Sequence, residues 1–332
     1  MSAYNLAVNN NMQLPDQKFS ARDLFGIDSN LQVPGFAGGM DLVPAMDPAY
    51  QFQPEVTQAI LAGFAHNKRV LVQGLHGSGK SSHIEQVAAR LNWPCMRINL
   101  DGHITRLDLV GKDTIQMQEG HQVTKFQEGI LPWCMRKPIA LILDEYDAGR
   151  PDVMFVIQRV LEREGSFTLM EQNRTLHPHK AFRLFATSNT VGQGNIQGLY
   201  HGVQQINQAQ MDRWNLVVAL NYLPQKQELA ILTAQVPSLA QGEGLRTANA
   251  MIELATLTRQ SYCVGDLSVL MSPRTLINWG ENMTVFNDMN LAFRLSYLNK
   301  CEPTEHALVA ELYQRCFGQE LLLPDNVNSV RV

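Results

Sequence analysis

The spacing of hydrophobic residues changes repeatedly along the middle of the chain. A helical stripe comes first, in PEVTQAILAGFAHN, where four apolar residues share one face: Val56, Ile60, Leu61 and Phe64. Short apolar runs then alternate with segments of helical spacing, and Gly and Pro residues separate them. Strands that alternate with helices in this way predict a parallel sheet covered on both faces, which is an α/β fold.

Five apolar runs carry the strand pattern. They are RVLVQG (69–74), CMRINL (95–100), IALILDE (139–145), AFRLFATSN (181–189) and NLVVALNYL (215–223). Helical spacing is found between them in KSSHIEQVAARLN (80–92) and in PDVMFVIQRVLERE (151–164), which has Pro at its first position. We therefore predict a three-layer core with a five-stranded parallel sheet over residues 49–224.

The regions around this alternation have other patterns. Beyond Pro224 the strand signals stop and amphipathic segments follow, which predicts an all-helical lid over residues 225–332. Residues 1–48 are predicted to form a partly disordered N-terminal segment, with apolar residues that can dock over about 19–36. Inside the core, two β-prone runs around EGH predict an inserted hairpin within about 106–136.

Charge and cysteine usage narrow the class of protein. The net charge of −4 argues against a basic surface for nucleic acid. The five cysteines are scattered without a C-x-x-C spacing, which argues against a zinc site or a disulfide framework and favours a reducing compartment. The sequence has no secretory signal pattern and no apolar run long enough to span a bilayer. We expect a cytoplasmic protein that binds neither nucleic acid nor membrane.

The segment GLHGSGKS at 74–81 is the first candidate for chemistry. It fits the pattern G-x-x-x-x-G-K-[ST] and lies between a predicted strand and a predicted helix, the context that a phosphate loop requires. In such a loop Lys80 reaches the β- and γ-phosphates of ATP and the Ser81 hydroxyl ligates Mg²⁺, while backbone N–H groups bind phosphate oxygens. A chance glycine-rich turn is the alternative. The predicted ATP-binding residues are Gly74, Leu75, His76, Gly77, Ser78, Gly79, Lys80, Ser81 and Ser82.

An acidic pair follows the buried strand in LILDEYD. The carboxyl end of that strand is predicted to lie beside the phosphate loop. Asp144 is therefore the candidate to hold Mg²⁺ through water, and Glu145 the candidate to polarise the attacking water. A solvated turn is the alternative interpretation of this pair.

Three further polar residues are candidates for the same site. Asn189 ends the next predicted strand, where it fixes the lytic water or serves as a turn residue. Arg213 precedes the last core strand, where it reaches a neighbouring subunit's nucleotide or pairs with Asp212. Arg274 begins a lid helix, where the helix dipole disfavours a cation, so a contact with the γ-phosphate is predicted.

Two other features have an ordinary structural interpretation as well as a functional one. The HPH triplet at 177–179 lacks the Cys or acidic partners of a metal site, and we interpret it as a turn in a hairpin. The inserted hairpin within 106–136 either contacts a substrate or partner or merely decorates the core.

Together these motifs resemble the AAA+ ATPases, and the inserted hairpin with QMDRW resembles the branch that holds MoxR proteins and the ATPase subunits of metal chelatases. Longer strings look like the CobS family, the ATPase subunit of aerobic cobaltochelatase. Among them are FGIDSNLQVPGF, DEYDAGRPDVMFVIQRVLE, GLYHGVQQINQAQMDRWN and MSPRTLINW. The resemblance runs from about residue 19 to about 319, and it implies an AAA+ P-loop NTPase core with a helical lid.

The resemblance also implies a function. Members of the family form hexameric rings that hydrolyse ATP with Mg²⁺, and they act with a von Willebrand-type subunit (CobT) and a large subunit (CobN). Hydrolysis drives insertion of Co²⁺ into hydrogenobyrinic acid a,c-diamide in aerobic cobalamin biosynthesis. By position, the resemblance makes Glu145 the catalytic residue and Asn189 the first sensor. It makes Arg213 a finger that acts in trans and Arg274 the second sensor.

Two other functions fit the same residues. A MoxR-like chaperone would remodel or metallate a von Willebrand-type partner outside the cobalamin pathway. A nucleotide-gated scaffold would assemble when ATP binds, with hydrolysis incidental to its role.

Overall fold

A computed structural model describes residues 13–119, 121–162, 165–189 and 208–323 of the 332-residue chain. These residues form two units. The first ends at Leu220 and the second begins at Asn221, and the second also takes in Ala49–Gln51 and His76–Ser78. Parts of several sequence predictions lie outside the described residues, namely 1–12 of the N-terminal segment, 163–164 of a predicted helix, 198–207 of the string beginning GLYHG, and 324–332 of the predicted lid.

The strands in chain order are β1 (Gln17–Ser20), β2 (Gln32–Gly35), β3 (Val70–Gln73), β4 (Cys95–Asn99), β5 (Gly111–Gln118), β6 (His121–Glu128), β7 (Ala140–Asp144), β8 (Phe167–Leu169), β9 (Arg174–Leu176), β10 (Arg183–Ser188) and β11 (Leu216–Ala219). The helices are α1 (Ala21–Phe25), α2 (Pro54–His66), α3 (Lys80–Arg90), α4 (Arg106–Val110), α5 (Ile130–Met135), α6 (Pro151–Leu161), α7 (Gln208–Met211), α8 (Gln225–Gln235), α9 (Gly242–Val264), α10 (Pro273–Phe286), α11 (Met289–Ser296) and α12 (His306–Phe317).

The first unit is built on one parallel sheet with the strand order β11-β3-β10-β7-β4. Alternate side chains of β3 enter different hydrophobic clusters, because Val70 and Val72 point to one face and Leu71 to the other. Helices α2 and α3 supply buried residues to the first cluster, and α4, α5 and α6 supply them to the second. The predicted three-layer α/β core with five parallel strands is confirmed.

The N-terminal segment packs on the same unit. Strands β1 and β2 pair antiparallel around α1. The Ser20 hydroxyl caps that helix by accepting from the Asp23 N–H at 3.3 Å. Phe25, Val33 and Phe36 are buried in the cluster that also contains α2 and α3. The segment therefore extends one side of the core.

Two antiparallel hairpins project from the sheet connections. Strands β5 and β6 pair from Gly111↔Glu128 to Gln118↔His121. Strands β8 and β9 form the second hairpin, and its turn lies at Met170–Gln172 followed by Asn173 with φ 45°. The HPH triplet follows β9, so its interpretation as the turn of a hairpin is wrong. A left-handed Asn closes the turn instead.

The second unit is helical. Helices α8 to α12 surround a hydrophobic cluster with an aromatic centre, in which Trp279, Phe293 and Tyr313 are fully buried. The Trp279 and Phe293 rings lie 4.8 Å apart between centroids. No strand occurs in residues 221–323, as the helical spacing of the C-terminal sequence predicts.

Candidate functional site

The polar residues of the site lie at the carboxyl ends of neighbouring strands in the sheet. Strand β10 pairs with both β3 and β7, so the carboxyl ends of these three strands are neighbours. Gly74 follows β3, Asp144 ends β7 and Asn189 follows β10. Because parallel strands all end at the same edge, strand order brings together residues that lie far apart in the chain.

Lys80 joins the phosphate loop to the end of β10. It is the first residue of α3, after Gly79, whose φ of 88° lies in the left-handed region that glycine adopts easily. Its Nζ atom donates to the carbonyl oxygens of Gly74 and Leu75, both at 2.9 Å, and to Asn189 Oδ1 at 2.8 Å. The loop lysine and the strand-terminal asparagine are thus in direct contact.

The charge state of Lys80 depends on its surroundings. Burial lowers the pKa of its ammonium to about 8, although the carboxylates of Asp144, Asp147 and Glu145 act in the opposite direction. Lost hydration therefore outweighs the attraction of the nearby acids. A phosphate group placed against this ammonium would stabilise its charged form.

Asp144 is held by donors from three residues. One carboxylate oxygen accepts from Ser81 Oγ at 2.5 Å and from the Thr187 hydroxyl, and the other accepts from Arg97 Nε at 2.8 Å. Burial raises the pKa of Asp144, but these hydrogen bonds outweigh it and keep the pKa below the ordinary value. An ionised carboxylate beside a serine hydroxyl offers the hard oxygen ligands that Mg²⁺ prefers.

Glu145 has an unusual backbone. Its φ is 55°, a left-handed conformation that costs a non-glycine residue about 1–2 kcal/mol. Its N–H donates to Thr187 Oγ1 at 3.2 Å, so Thr187 contacts both residues of the acidic pair. On the same edge, Asp147 Oδ2 accepts from the Asn189 N–H at 3.1 Å.

Three residues of this network were missed in the sequence, namely Arg97, Thr187 and Asp147. Arg97 had a weak signal, since it is a charged residue inside the strand CMRINL. Thr187 belongs to an ordinary apolar strand and Asp147 to the continuation of the acidic motif. Their role depends on strand order, because Arg97 reaches Asp144 only where β4 lies beside β7.

Arg213 lies away from these contacts. Its Nε donates to Glu162 Oε1 at 2.8 Å, and its Nη1 donates to the Ala209 carbonyl at 2.5 Å. The pairing with Asp212 that the sequence left open names the wrong partner. Within the described residues, no hydrogen bond or ion pair joins Arg213 to the loop at 74–81.

The tip of the phosphate loop belongs to the second unit. There Tyr222 donates through its hydroxyl to the His76 carbonyl at 2.8 Å. Gly77 has φ 73°, and a Cβ added to it would lie 2.5 Å from Ser272 Cβ. Ser272 caps α10, whose first turn carries the exposed Arg274. Within this unit, the loop tip therefore touches the start of the helix that carries Arg274.

Two loop serines differ in exposure. The Ser78 hydroxyl is buried and has no hydrogen-bond partner in the described part of the chain. A buried hydroxyl without a partner is unfavourable, and a phosphate oxygen would supply the partner. Ser82 is exposed on α3. The Ser78 hydroxyl is therefore a candidate donor to a phosphate oxygen at the loop tip.

Among the described residues, no cluster of three or more His, Cys, Asp or Glu side chains is arranged to hold a metal ion. The described helices also include none that is both long and apolar enough to cross a bilayer.

Known proteins resemble the chain over both of its recognisable segments. The family model "Cobaltochelatase CobS subunit N terminal" matches residues 11–43, and "AAA domain (dynein-related subfamily)" matches residues 69–214. The "Aerobic cobaltochelatase subunit CobS" of Sinorhizobium sp is 58% identical over 321 residues, which cover 97% of this chain and 96% of that protein. The chain belongs to the CobS family. The resemblance drawn from its motifs is confirmed.

More distant proteins share parts of this CobS-family chain. "Midasin" of Dictyostelium discoideum is 32% identical over 145 residues, which cover 44% of this chain and 2% of that protein. The solved RuvB Holliday junction branch migration motor of Thermotoga maritima is 13% identical, with a TM-score of 0.43, and the match covers 72% of this chain and 65% of that chain. The segment at 11–43 that matches the CobS N-terminal model contains β1, α1 and β2.

Proposed function

We propose that this chain binds ATP with Mg²⁺ at the carboxyl edge of its sheet and hydrolyses it as the motor subunit of a cobaltochelatase. The observation that carries the proposal is the hydrogen bond between Ser81 and Asp144, 63 positions apart, which joins the phosphate loop to the acidic pair. The 58% identical relative is named as a subunit of aerobic cobaltochelatase. The proposed reaction is therefore ATP-driven insertion of Co²⁺ into hydrogenobyrinic acid a,c-diamide, catalysed by a ligase that forms nitrogen–metal bonds.

Each residue at the carboxyl edge of the sheet has its own role in the proposed reaction. Bound Mg²⁺–ATP supplies the phosphoryl group that water accepts. Lys80 and the loop N–H groups hold the phosphates, and Ser81 with Asp144 would hold Mg²⁺. Glu145 takes the proton of the attacking water and Asn189 orients that water. The contact of Asn189 with Lys80 supports a shared position at the γ-phosphate.

Two arginines complete the proposed site. Within the described residues Arg213 pairs with Glu162 and not with the loop at 74–81, and its proposed role toward the nucleotide of a neighbouring subunit in a hexameric ring follows the family resemblance. Arg274 begins the helix that touches the loop tip at Gly77, which supports a role as sensor of the bound nucleotide. The ring would act with a CobT-like von Willebrand-type subunit and a CobN-like large subunit.

The proposed division of labour follows the predicted segments. Residues 49–224, with the hairpin inserted within 106–136, act as the ATPase core, and residues 225–332 act as the helical lid. Residues 1–48 form the N-terminal segment, with its docking part at about 19–36. Five free cysteines, of which Cys134 and Cys301 are buried, support a cytoplasmic location.

One chelation assay, run with wild type and with a Glu145 variant, separates this proposal from its alternatives. Glu145→Gln should bind ATP and assemble but fail to hydrolyse it, because the amide cannot accept the proton. Cobalt chelation is measured with purified CobN-like and CobT-like subunits, with wild type, with the variant and without this chain. Full chelation with Glu145→Gln would favour the nucleotide-gated scaffold. If hydrolysis is normal but the wild type adds nothing to chelation, a MoxR-like chaperone is favoured.

A further inference from the structure

A cationic cavity lies at the amino edge of the sheet. Its volume is about 480 Å³, and it is lined by Trp133, Arg136, Lys137, His177 and His179. Arg136 and Lys137 lie between α5 and β7, and His177 and His179 lie between β9 and β10. Since β7 and β10 are parallel, their starts lie at the edge opposite to Asp144 and Asn189. The cavity is therefore separate from the nucleotide site.

The two chain segments that form the cavity are fixed to each other. The His179 N–H donates to the Met135 carbonyl at 2.6 Å. The Ala181 N–H donates to His179 Nδ1 at 3.1 Å, so in the neutral ring the proton is on Nε2. Burial lowers the pKa of His179, and the charge of Arg183 lowers it further. In its neutral form the imidazole thus has Nε2 as its N–H donor.

Lys137 is the unusual member of the lining. The residue is only 9% exposed, and its Nζ lies 4.4 Å from the centroid of the Trp133 ring. No hydrogen bond or ion pair from another described residue compensates its ammonium. Burial lowers the pKa of Lys137, and the charge of Arg136 lowers it further. A ring face restores only part of the lost hydration of a cation.

The charges around the cavity do not balance. Arg136 forms an ion pair with Glu128, and Arg174 and Lys137 also act on that carboxylate. Glu128 therefore meets three cations, and the five lining residues include no acid. The excess positive charge stands on a chain whose net charge is −4. An entering anion would neutralise it.

We propose that this cavity binds the carboxylate side chains of an acidic segment on a partner protein. Exposed Arg136 and His177 lie at its rim, buried Lys137 lies within, and Trp133 provides an apolar wall for methylene groups. A volume of about 480 Å³ holds several side-chain groups, more than one inorganic anion fills. The inference does not depend on the proposed ATP hydrolysis.

The test uses the full chain with saturating Mg²⁺ and ADP, so that the phosphate loop is occupied. The probe is an acetylated peptide of alternating Glu and Gly, and binding is measured by titration calorimetry at low salt. We expect Lys137→Met, which keeps the contact with Trp133, to weaken binding at least about tenfold. Arg136→Gln should weaken it several-fold. Lys180→Met removes an exposed lysine outside the lining and should have no effect.

Several results would overturn the proposal. One is a wild type that binds the Glu peptide no better than a Gln–Gly peptide. Another is equal weakening by Lys137→Met and Lys180→Met, which would indicate unspecific charge attraction. Inorganic phosphate that displaces the peptide at equal or lower concentration would assign the cavity to a free anion. Circular dichroism and ADP binding verify that each variant is folded. If Lys137→Met does not fold, the peptide affinity of the rim variant Arg136→Gln decides the test.

Discussion

The guanidinium of Arg97 holds the carboxylate of Asp144, with Nε 2.8 Å from Oδ2. Arg97 lies on the edge strand β4, two positions before Asn99, which pairs with Asp144 in the sheet. The other oxygen of Asp144 accepts from Ser81. The predicted Mg²⁺ ligand is thus already bonded to a cation of its own chain. Mg²⁺ and Arg97 would compete for one carboxylate.

Replacing Arg97 should lower the Mg²⁺ requirement of nucleotide binding. In Arg97→Gln the competing charge is gone, so we expect the Mg²⁺ concentration at half-saturation to fall about 3–10-fold. The measurement is a Mg²⁺ titration of fluorescent ATP-analogue binding at fixed nucleotide concentration. Arg159→Gln, an exposed change on α6, serves as the control. An unchanged or higher midpoint would show that Arg97 does not compete with the metal.

The lowered pKa of Lys80 predicts a pH dependence of ATP binding. The charged ammonium binds phosphate, and burial lowers its pKa to about 8, so affinity should fall as the pH rises through that value. Between pH 7 and pH 9 the protonated fraction, and with it the affinity, should fall about tenfold. Lys80→Arg stays charged over this range, so its remaining affinity should not vary with pH. A flat wild-type profile would contradict the prediction.

Two inactive variants should restore each other if Arg213 acts in trans. Arg213→Ala keeps its own Glu145 but cannot serve a neighbour, whereas Glu145→Gln keeps the finger but cannot hydrolyse ATP. A mixed ring places the intact Arg213 of one subunit beside the intact Glu145 of the next. Random mixing in equal amounts should return about a quarter of wild-type hydrolysis. The measurement is the rate of ATP hydrolysis by each variant alone and by the mixture. Mixed rings that recover no hydrolysis would indicate that Arg213 acts in cis.

The helical unit contains a buried ion pair that should be costly to break. Arg259 Nη1 lies 3.0 and 2.8 Å from the two carboxylate oxygens of Glu228, and its Nε donates to the Met271 carbonyl at 2.7 Å. Arg259→Met leaves Glu228 buried without its partner, so we expect a loss of about 3–5 kcal/mol in the free energy of unfolding.

Urea unfolding followed by far-ultraviolet circular dichroism measures this loss. The double variant Glu228→Gln/Arg259→Met should recover part of it, because no uncompensated charge remains. Arg246→Met, an exposed change on α9, should shift the transition by less than about 0.5 kcal/mol. Equal losses in the single and double variants would mean that the uncompensated charge of Glu228 is not the cause of the loss.

The local sequence pattern alone was enough to predict much of the fold and many of the site residues. The alternation of strands and helices, the loop GLHGSGKS and the acidic pair after a buried strand all depend on residues adjacent in the chain. Their spacing therefore predicts both the α/β core and the residues at its carboxyl edge. The helical C-terminal region was equally predictable, because amphipathic spacing continues there without strand signals.

Tertiary structure decided which residues meet. Lys80 contacts Asn189 across 109 positions, and Arg97 contacts Asp144 across 47, only because β10 lies between β3 and β7 and β4 lies beside β7. The cationic cavity likewise forms where the starts of β7 and β10 come together. Strand order results from long-range pairing, and local residue spacing carries no record of it.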